Sequence, residues 1–362
     1  MNGSHDNSRL VRVVVADDSA FMRTALVRMI ESDPGLRVSG TAQNGLEALE
    51  KIVALQPDVV TLDVEMPKLN GLETLKRIMQ DAPRPVIMVS SLTQEGAETT
   101  LDALANGAFD YVPKQLSYVS LDIIKIRDEL VEKIKAAAES GRRKPMGRIA
   151  QPPHTEVKLS ACNTNHVPPG VVALGTSTGG PKALQQILPM LPADLPVGIL
   201  IVQHMPAGFT GPFARRLDAL CKVSVREAVH DEPVQASTVY IAPAGQQMTV
   251  QRRTSSKVAI RLSNTPDNTP HIPSVDVMMT SVAEVFGALS MGVIMTGMGA
   301  DGLQGMQAIA RQGGLTVGQD EASCTVYGMP RSCAEAGVLQ RVVSLPCIPE
   351  QILQATRYRQ RA

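Results

Sequence analysis

Residues 171–184 read VVALGTSTGGPKAL. Val171 to Gly175 is a short apolar run of strand length. Gly175-Thr176-Ser177-Thr178-Gly179-Gly180 is a turn. Pro181 to Leu188 is predicted as a helix with Pro181 at its first position, where a missing N–H costs nothing. The same alternation continues downstream. Strands are predicted at Val197–Val202, Val239–Ile241 and Val293–Thr296. Helices are predicted at Phe209–Leu220, Ser274–Phe286 and Leu303–Arg311, and a hairpin from Met248–Gln251 and Val258–Leu262. Upstream, strands are predicted at Val11–Ala16, Leu36–Thr41, Val59–Leu62 and Val86–Val89, with a fifth ending at Tyr111-Val112. Phe21–Ile30 and Leu46–Val53 carry helical faces, and Leu121–Ala138 a long amphipathic helix. Strands alternating with helices imply parallel sheets covered on both faces. Between the two series lie Arg142-Arg143-Lys144, prolines at 145, 152, 153, 168 and 169, and no sustained periodicity. That stretch is too long for a loop inside one domain. The expectation is α/β: two doubly wound parallel-sheet domains, residues 10–130 and 169–362, joined by a linker at 139–168.

Composition narrows the function classes. The 362 residues are 44% apolar and 19% charged, with zero net charge. Nothing in that balance favours nucleic acid or an anionic membrane surface. The start MNGSHDNSR lacks an apolar signal region, and no apolar run is long enough to span a bilayer. Five cysteines without CxxC spacing suggest reduced thiols and a cytoplasmic protein. Trp is absent, so a base-stacking surface has little support.

Three carboxylates mark the first domain. Asp17 and Asp18 follow the first strand and Asp63 the third. Strand C-termini of a doubly wound sheet converge on one edge, where ligands bind. Carboxylates gathered there repel one another unless a cation binds, and oxygen donors of this kind suit Mg²⁺. Ser90 and Lys114 end the fourth and fifth strands and suit the oxygens of a transferred phosphoryl group. For Asp18 or Ser19 alone, a helix cap is the favoured reading. Five such residues at four strand ends favour the phosphate site.

In the second domain, Gly175–Gly180 matches the G-x-S-x-G pattern that displays a serine between strand and helix. A serine needs a base. Among six histidines, His204 directly follows a strand and so shares the edge with Ser177. His5 lies in the tail, His154 and His166 in the linker, and His230 and His271 near loops of uncertain placement. Asp301 follows the strand Val293–Thr296 through Gly297-Met298-Gly299-Ala300. The glycines there leave the Met298 N–H available to an oxyanion. Each piece has a blander alternative: a phosphate-binding loop, a structural histidine, a helix cap. Their coincidence at three strand ends favours a Ser177–His204–Asp301 triad. The order Ser, His, Asp differs from the Ser, Asp, His of α/β-hydrolases.

These motifs carry two resemblances. VVVADDSAFMR, DVVTLDVEMPKLNGLETL, VIMVSS and DYVPK resemble response-regulator receiver domains, which are flavodoxin-like. That implies phosphorylation of Asp63 by a histidine kinase and Mg²⁺ held by Asp18 and Asp63 with Asp17 assisting. It also implies Ser90 as the switch hydroxyl and Lys114 on the phosphoryl group. One departure is that Gln115, not proline, follows Lys114. LGTSTGGPKAL, VQHMPAGFT, IAPAG, PSVDVMM, TGMGADG and YGMP resemble the catalytic domain of chemotaxis protein-glutamate methylesterases, the CheB family, a Rossmann-like fold. The implied substrates are glutamate γ-methyl esters, and certain glutamines, on the cytoplasmic helices of chemotaxis receptors. Ser177 would attack, His204 take the proton, Asp301 hold the imidazole, and water hydrolyse the acyl-enzyme, with no cofactor for this chemistry. The resemblance further implies that the unphosphorylated receiver covers the active-site face. Partners would be the receptors and the kinase, with no nucleic acid and no membrane insertion.

A DNA-binding output domain would need a basic recognition helix, which 170–362 does not offer. A nucleotide-binding module using the Gly175–Gly180 turn would need a G-x-G-x-x-G or a Walker lysine there, and that turn has neither. A non-catalytic scaffold would not require Ser177, His204 and Asp301 together.

Overall fold

Val11–Ala16, a run of β-branched residues, forms a strand with three fully buried valines, and it sets the pattern for the first of two units. The computed structural model describes residues 10–91, 93–114, 120–142, 167–254 and 257–358. The chain divides into two compact units, Met1–Arg142 and Arg143–Ala362.

The first unit alternates β1 (Val11–Ala16), α1 (Ala20–Glu31), β2 (Leu36–Ala42), α2 (Gly45–Leu55), β3 (Val59–Asp63), α3 (Gly71–Asp81), β4 (Val86–Ser90), α4 (Gln94–Ala105), β5 (Asp110–Pro113) and α5 (Ser120–Arg142). Side-chain caps start four of the helices: Ser19, Asn44, Asn70 and Thr93 each accept a backbone N–H of the first turn. The five strands pair in parallel in the order β2-β1-β3-β4-β5. Order reverses between β1 and β3, so the ends of those two strands flank the crevice. Leu130 and Ile134 of α5 are wholly buried in one core with Val13, Val15 and Ile30. Full burial of each such side chain contributes roughly 1.5–3 kcal/mol.

The second unit runs β6 (Val171–Thr176), α6 (Gly180–Ile187), β7 (Gly198–Gln203), α7 (Thr210–Asp218), β8 (Ser224–Glu227), β9 (Thr238–Ile241), β10 (Gln247–Arg252), β11 (Val258–Ser263), α8 (Val275–Phe286), β12 (Ser290–Ile294), α9 (Leu303–Arg311), β13 (Leu315–Gln319), α10 (Met329–Glu335), β14 (Arg341–Val343) and α11 (Ile348–Ala355). Seven strands form a parallel sheet in the order β14-β13-β12-β6-β7-β9-β8. β10 and β11 pair antiparallel as the predicted hairpin. The order reverses at β6, which lies between β12 and β7. Val171, Leu200, Tyr240, Val275 and Met306 share one core.

Both domains are therefore α/β with parallel sheets, as predicted, and three local differences have physical causes. α5 continues to Arg142, so residues 139–142, expected in the linker, are helical. No helix breaker intervenes before Pro145. The remainder of the expected linker, 143–166, lies outside the described residues, as do Gln115, His5, His154 and His166. β12 ends at Ile294 rather than Thr296, because Thr296 N donates to the buried Gln319 Oε1 at 2.9 Å instead of continuing the ladder. β8, β13 and β14 went unpredicted, as did the helices α3, α4, α10 and α11. β8 is an edge strand with one buried apolar residue. β13 interrupts its apolar run with Thr316, Gly318 and Gln319, whose polar side chains are nonetheless buried and bonded.

Candidate functional site

Ser177 is the first residue beyond β6, at the point where the seven-stranded order reverses. Its N–H donates to Thr296 O at 3.0 Å, and its carbonyl accepts from Gly180 N at 2.8 Å. The turn needs its glycines. Gly179 has φ +78°, and a Cβ there would lie 2.4 Å from Thr325 Cβ. α6 begins at Gly180 with Pro181 second, one residue earlier than predicted. The loop after β12 passes directly over the serine: a Cβ on Gly297 would lie 2.9 Å from Ser177 Cβ. Met298 follows, and its N–H carries no backbone hydrogen bond among the described residues.

His204 follows β7 and Asp301 precedes α9. The His204 Nε2 and Asp301 Oδ2 atoms lie 2.8 Å apart, with both side chains 9% exposed. The other ring nitrogen, Nδ1, is buried and has no hydrogen-bond partner among the described residues. Asp301 also accepts from Ser274 Oγ at 2.9 Å, Val275 N at 2.8 Å and Asp276 N at 3.0 Å. These donors form the N-terminus of α8, whose cap is Ser274. Burial alone would raise the Asp301 pKa, but the His204 partner and the helix N–H groups outweigh it and hold it at about 2. Asp301 is thus ionised at neutral pH and accepts from His204 Nε2, an arrangement that suits an Nε2–H tautomer with its lone pair on Nδ1. In the chymotrypsin-type triad the carboxylate holds Nδ1 and Nε2 is the base. Here Nε2, not Nδ1, meets the carboxylate. No hydrogen bond joins Ser177 Oγ to His204 among the described residues; such contacts are often looser before substrate binds.

One contributor went unassigned by sequence. His271 stacks on His204 with ring centroids 3.9 Å apart. Gln247 places it: its Nε2 donates to Pro266 O and Thr269 Oγ1, its Oε1 accepts from Ser274 N, and Thr269 Oγ1 donates to His271 O. No local motif flags His271, since the stack depends on a loop folding back over a strand end. His230 instead bonds Leu262 on the hairpin.

In the first unit, Asp17, Asp18 and Asp63 each bring a carboxylate oxygen within 4.8 Å of the others. Asp17 and Asp63 are buried and Asp18 exposed. Lys114 Nζ lies 2.6 Å from Asp63 Oδ2 and 3.1 Å from Asp17 Oδ2, and among the described residues those two buried oxygens meet no other partner. Three carboxylates against one ammonium leave net negative charge, and hard oxygen donors so arranged fit a small divalent cation. Burial pushes the Asp63 pKa up to about 6 against the pull of Lys114, and Asp17 adds to the rise. Burial would lower Lys114, but Asp63 and Asp17 raise it overall. Ser90 ends β4 as predicted, and its Oγ is bonded to the start of α4. It donates to Gly96 O at 3.2 Å and accepts from Thr100 Oγ1 at 2.7 Å. Ser19, not Asp18, caps α1.

No helix among the described residues is long and apolar enough to cross a membrane. Residues 172–352 match the family model described as CheB methylesterase, and 13–123 the model of the response regulator receiver domain. The chain is 46% identical to the protein-glutamate methylesterase/protein-glutamine glutaminase 1 of Oleidesulfovibrio alaskensis, across 96% of this chain and 99% of that one. It is 45% identical to the Pyrococcus abyssi protein of the same description, across 96% and 94%. The CheB methylesterase catalytic domain of Thermotoga maritima superposes on 52% of this chain and 99% of its own, with a TM-score of 0.50 and 37% identity.

Proposed function

We infer the reaction of this chain from the family to which it belongs, the CheB protein-glutamate methylesterases/protein-glutamine glutaminases carrying a response-regulator receiver domain. The enzyme hydrolyses glutamate γ-methyl esters on chemotaxis receptors and deamidates selected receptor glutamines. Ser177 Oγ attacks the γ-carbonyl carbon as His204 Nδ1 takes its proton. Asp301 holds the Nε2–H and stabilises the imidazolium that forms. The oxyanion meets the Met298 N–H. The tetrahedral intermediate collapses with the proton passing from His204 to the leaving oxygen, so methanol departs, or ammonia from an amide. Water, deprotonated by His204, then attacks the γ-glutamyl ester of Ser177 and releases glutamate. The observation that carries this reading is the His204 imidazole, clamped by Asp301 through Nε2 with Nδ1 buried and unpartnered among the described residues.

In the receiver domain, Asp63 accepts a phosphoryl group from a histidine kinase. Asp18 and Asp63, with Asp17, would hold Mg²⁺, which when bound offsets the charge of the transferring group. Lys114 would pair with a phosphoryl oxygen, and Ser90 Oγ would turn from Gly96 O to another. A new dianion with strong acceptors at the β4 and β5 ends can bias a bistable surface. The readout is activation of the esterase.

Methanol release from methylated receptor membranes tests both parts. Ser177→Ala is expected to lower release by at least about four orders of magnitude. Release at the unmutated rate would remove the serine mechanism. A small phosphodonor with Mg²⁺ should raise the rate of the unmutated chain and leave Asp63→Asn unchanged. An equal response in Asp63→Asn would exclude this switch.

A further inference from the structure

Every residue of β7 before its last is apolar or glycine: Gly198, Ile199, Leu200, Ile201, Val202. The last, Gln203, is equally buried at 2% exposure. Its Nε2 donates to Ser177 O at 3.0 Å and to His204 O at 2.9 Å. Those carbonyls belong to the nucleophile and the base of the reaction proposed above. The last ladder bond between the two strand ends, His204 N to Thr176 O, lies just behind at 3.2 Å. Beyond it the chains diverge, and the amide spans the gap.

The amide's orientation is determined by its surroundings. Reversed, its oxygen would face two carbonyl oxygens. As it stands, Oε1 faces the start of α6, buried and without a partner among the described residues. A Cβ on Gly180 would lie 2.0 Å from it, so residue 180 has no room for a side chain. A buried oxygen left unpaired costs stability, and a hydrophobic residue would suit the strand better. The cost points to a requirement other than folding.

The opposite side of the Ser177 turn is held in a like manner. Thr176 Oγ1 donates to Thr296 O at 2.8 Å, and Thr296 Oγ1 donates to Thr178 O at 2.9 Å. Thr296 thus ties the turn to the loop that carries Asp301, while Gln203 ties it to the strand that carries His204.

We propose that Gln203 is a positioning residue, whose side-chain amide locks the Ser177 turn and the His204 strand end into one rigid unit. Nucleophile and base sit on separate loops, and a misplacement of about 1 Å between them can cost a hundredfold in rate. The inference rests on the roles given above to Ser177 and His204.

The test uses the full-length chain, with methanol release from methylated receptor membranes and phosphonylation of Ser177 by a small fluorophosphonate. Gln203→Met keeps the volume and removes both donors. Its kcat per titrated site should fall about thirtyfold to a hundredfold, with KM within about threefold. Phosphonylation, which needs no receptor contact, should slow in parallel. Gln203→Asn, one methylene shorter, reaches one carbonyl at most and should fall between, and it carries the test if the methionine variant does not fold. A merely structural Gln203 would lower the melting temperature and leave kcat per site unchanged. That result overturns the proposal, as does a loss confined to KM. Ser177→Ala is measured alongside. If it is silent while folded Gln203→Met retains full kcat, only this inference fails. If Ser177→Ala itself releases methanol, the parent reading fails and this one with it.

Discussion

Asp301 illustrates how one carboxylate holds a neighbour and is itself held. Four donors converge on it, and a group so surrounded stays ionised well below its ordinary range. The sign of its pH effect follows. Its pKa lies near 2 in the folded chain against 3.8 ordinarily. The stability it contributes is full above about pH 5 and is lost as pH falls through 4 towards 2. The shift corresponds to about 2 kcal/mol. Urea unfolding from pH 6 to pH 2.5 should therefore show a decline that is shallower by about this amount in Asp301→Asn. Identical slopes would refute the assignment. The same substitution should reduce kcat by about 10⁴, since an amide no longer enforces the Nε2–H tautomer or stabilises the imidazolium. An activity loss below tenfold would contradict the role given to this residue.

At the scale of elements, the site is built at helix beginnings. α8 starts beneath Asp301, and its positive end stabilises that negative charge. α9 starts beneath Asp276, whose Oδ1 accepts from Gly305 N at 2.8 Å. Each helix carries, at its own beginning, the carboxylate that caps the other. Ser274 serves twice: its Oγ accepts from Val277 N and donates to Asp301. Ser274→Ala removes a cap and a charge-assisted bond together. The expected loss is about 1–3 kcal/mol in urea denaturation, with a reduced kcat. A variant as stable and active as the parent would show that the cap is dispensable. Gly180→Ala should be worse tolerated than its conservative chemistry suggests, because the new methyl would meet Gln203 Oε1 and Thr176 Oγ1 inside the Ser177 turn. The expected outcome is a lowered kcat in methanol release, and an unchanged kcat would show that the turn can relax.

At the scale of the molecule, one device is used twice. In each sheet the strand order reverses beside the strand that presents the candidate site residues: β1 and β3 for the carboxylates, β6 and its neighbours for Ser177. Parallel strands align their C-terminal ends on one edge, so residues far apart in sequence meet there without any local signal. Each unit has its own sheet and core. In the proposed reading, residues 169–362 alone should therefore hydrolyse methylated receptors, and a phosphodonor should no longer change the rate. An isolated second unit that is folded yet inactive would mean that the first supplies part of the site.

The sequence by itself determined the alternation of elements, hence two parallel sheets, and it pointed to Ser177, His204, Asp301 and the three N-terminal carboxylates. Local patterns suffice there: apolar runs of strand length, glycines at forced turns, and polar residues placed just beyond strand ends. The receiver Ser90 was legible as a strand end, but its turn towards Gly96 and Thr100 was not. Nor were β8 and β13, where burial depends on neighbours that complete the sheet. Tertiary structure alone decided which imidazole nitrogen meets the carboxylate, that His271 lies on His204, and that one buried amide joins Ser177 to His204. Each is a contact between segments tens of residues apart. It is set by strand order and by the few ångströms separating adjacent strand ends, and composition and spacing along the chain carry no record of that distance.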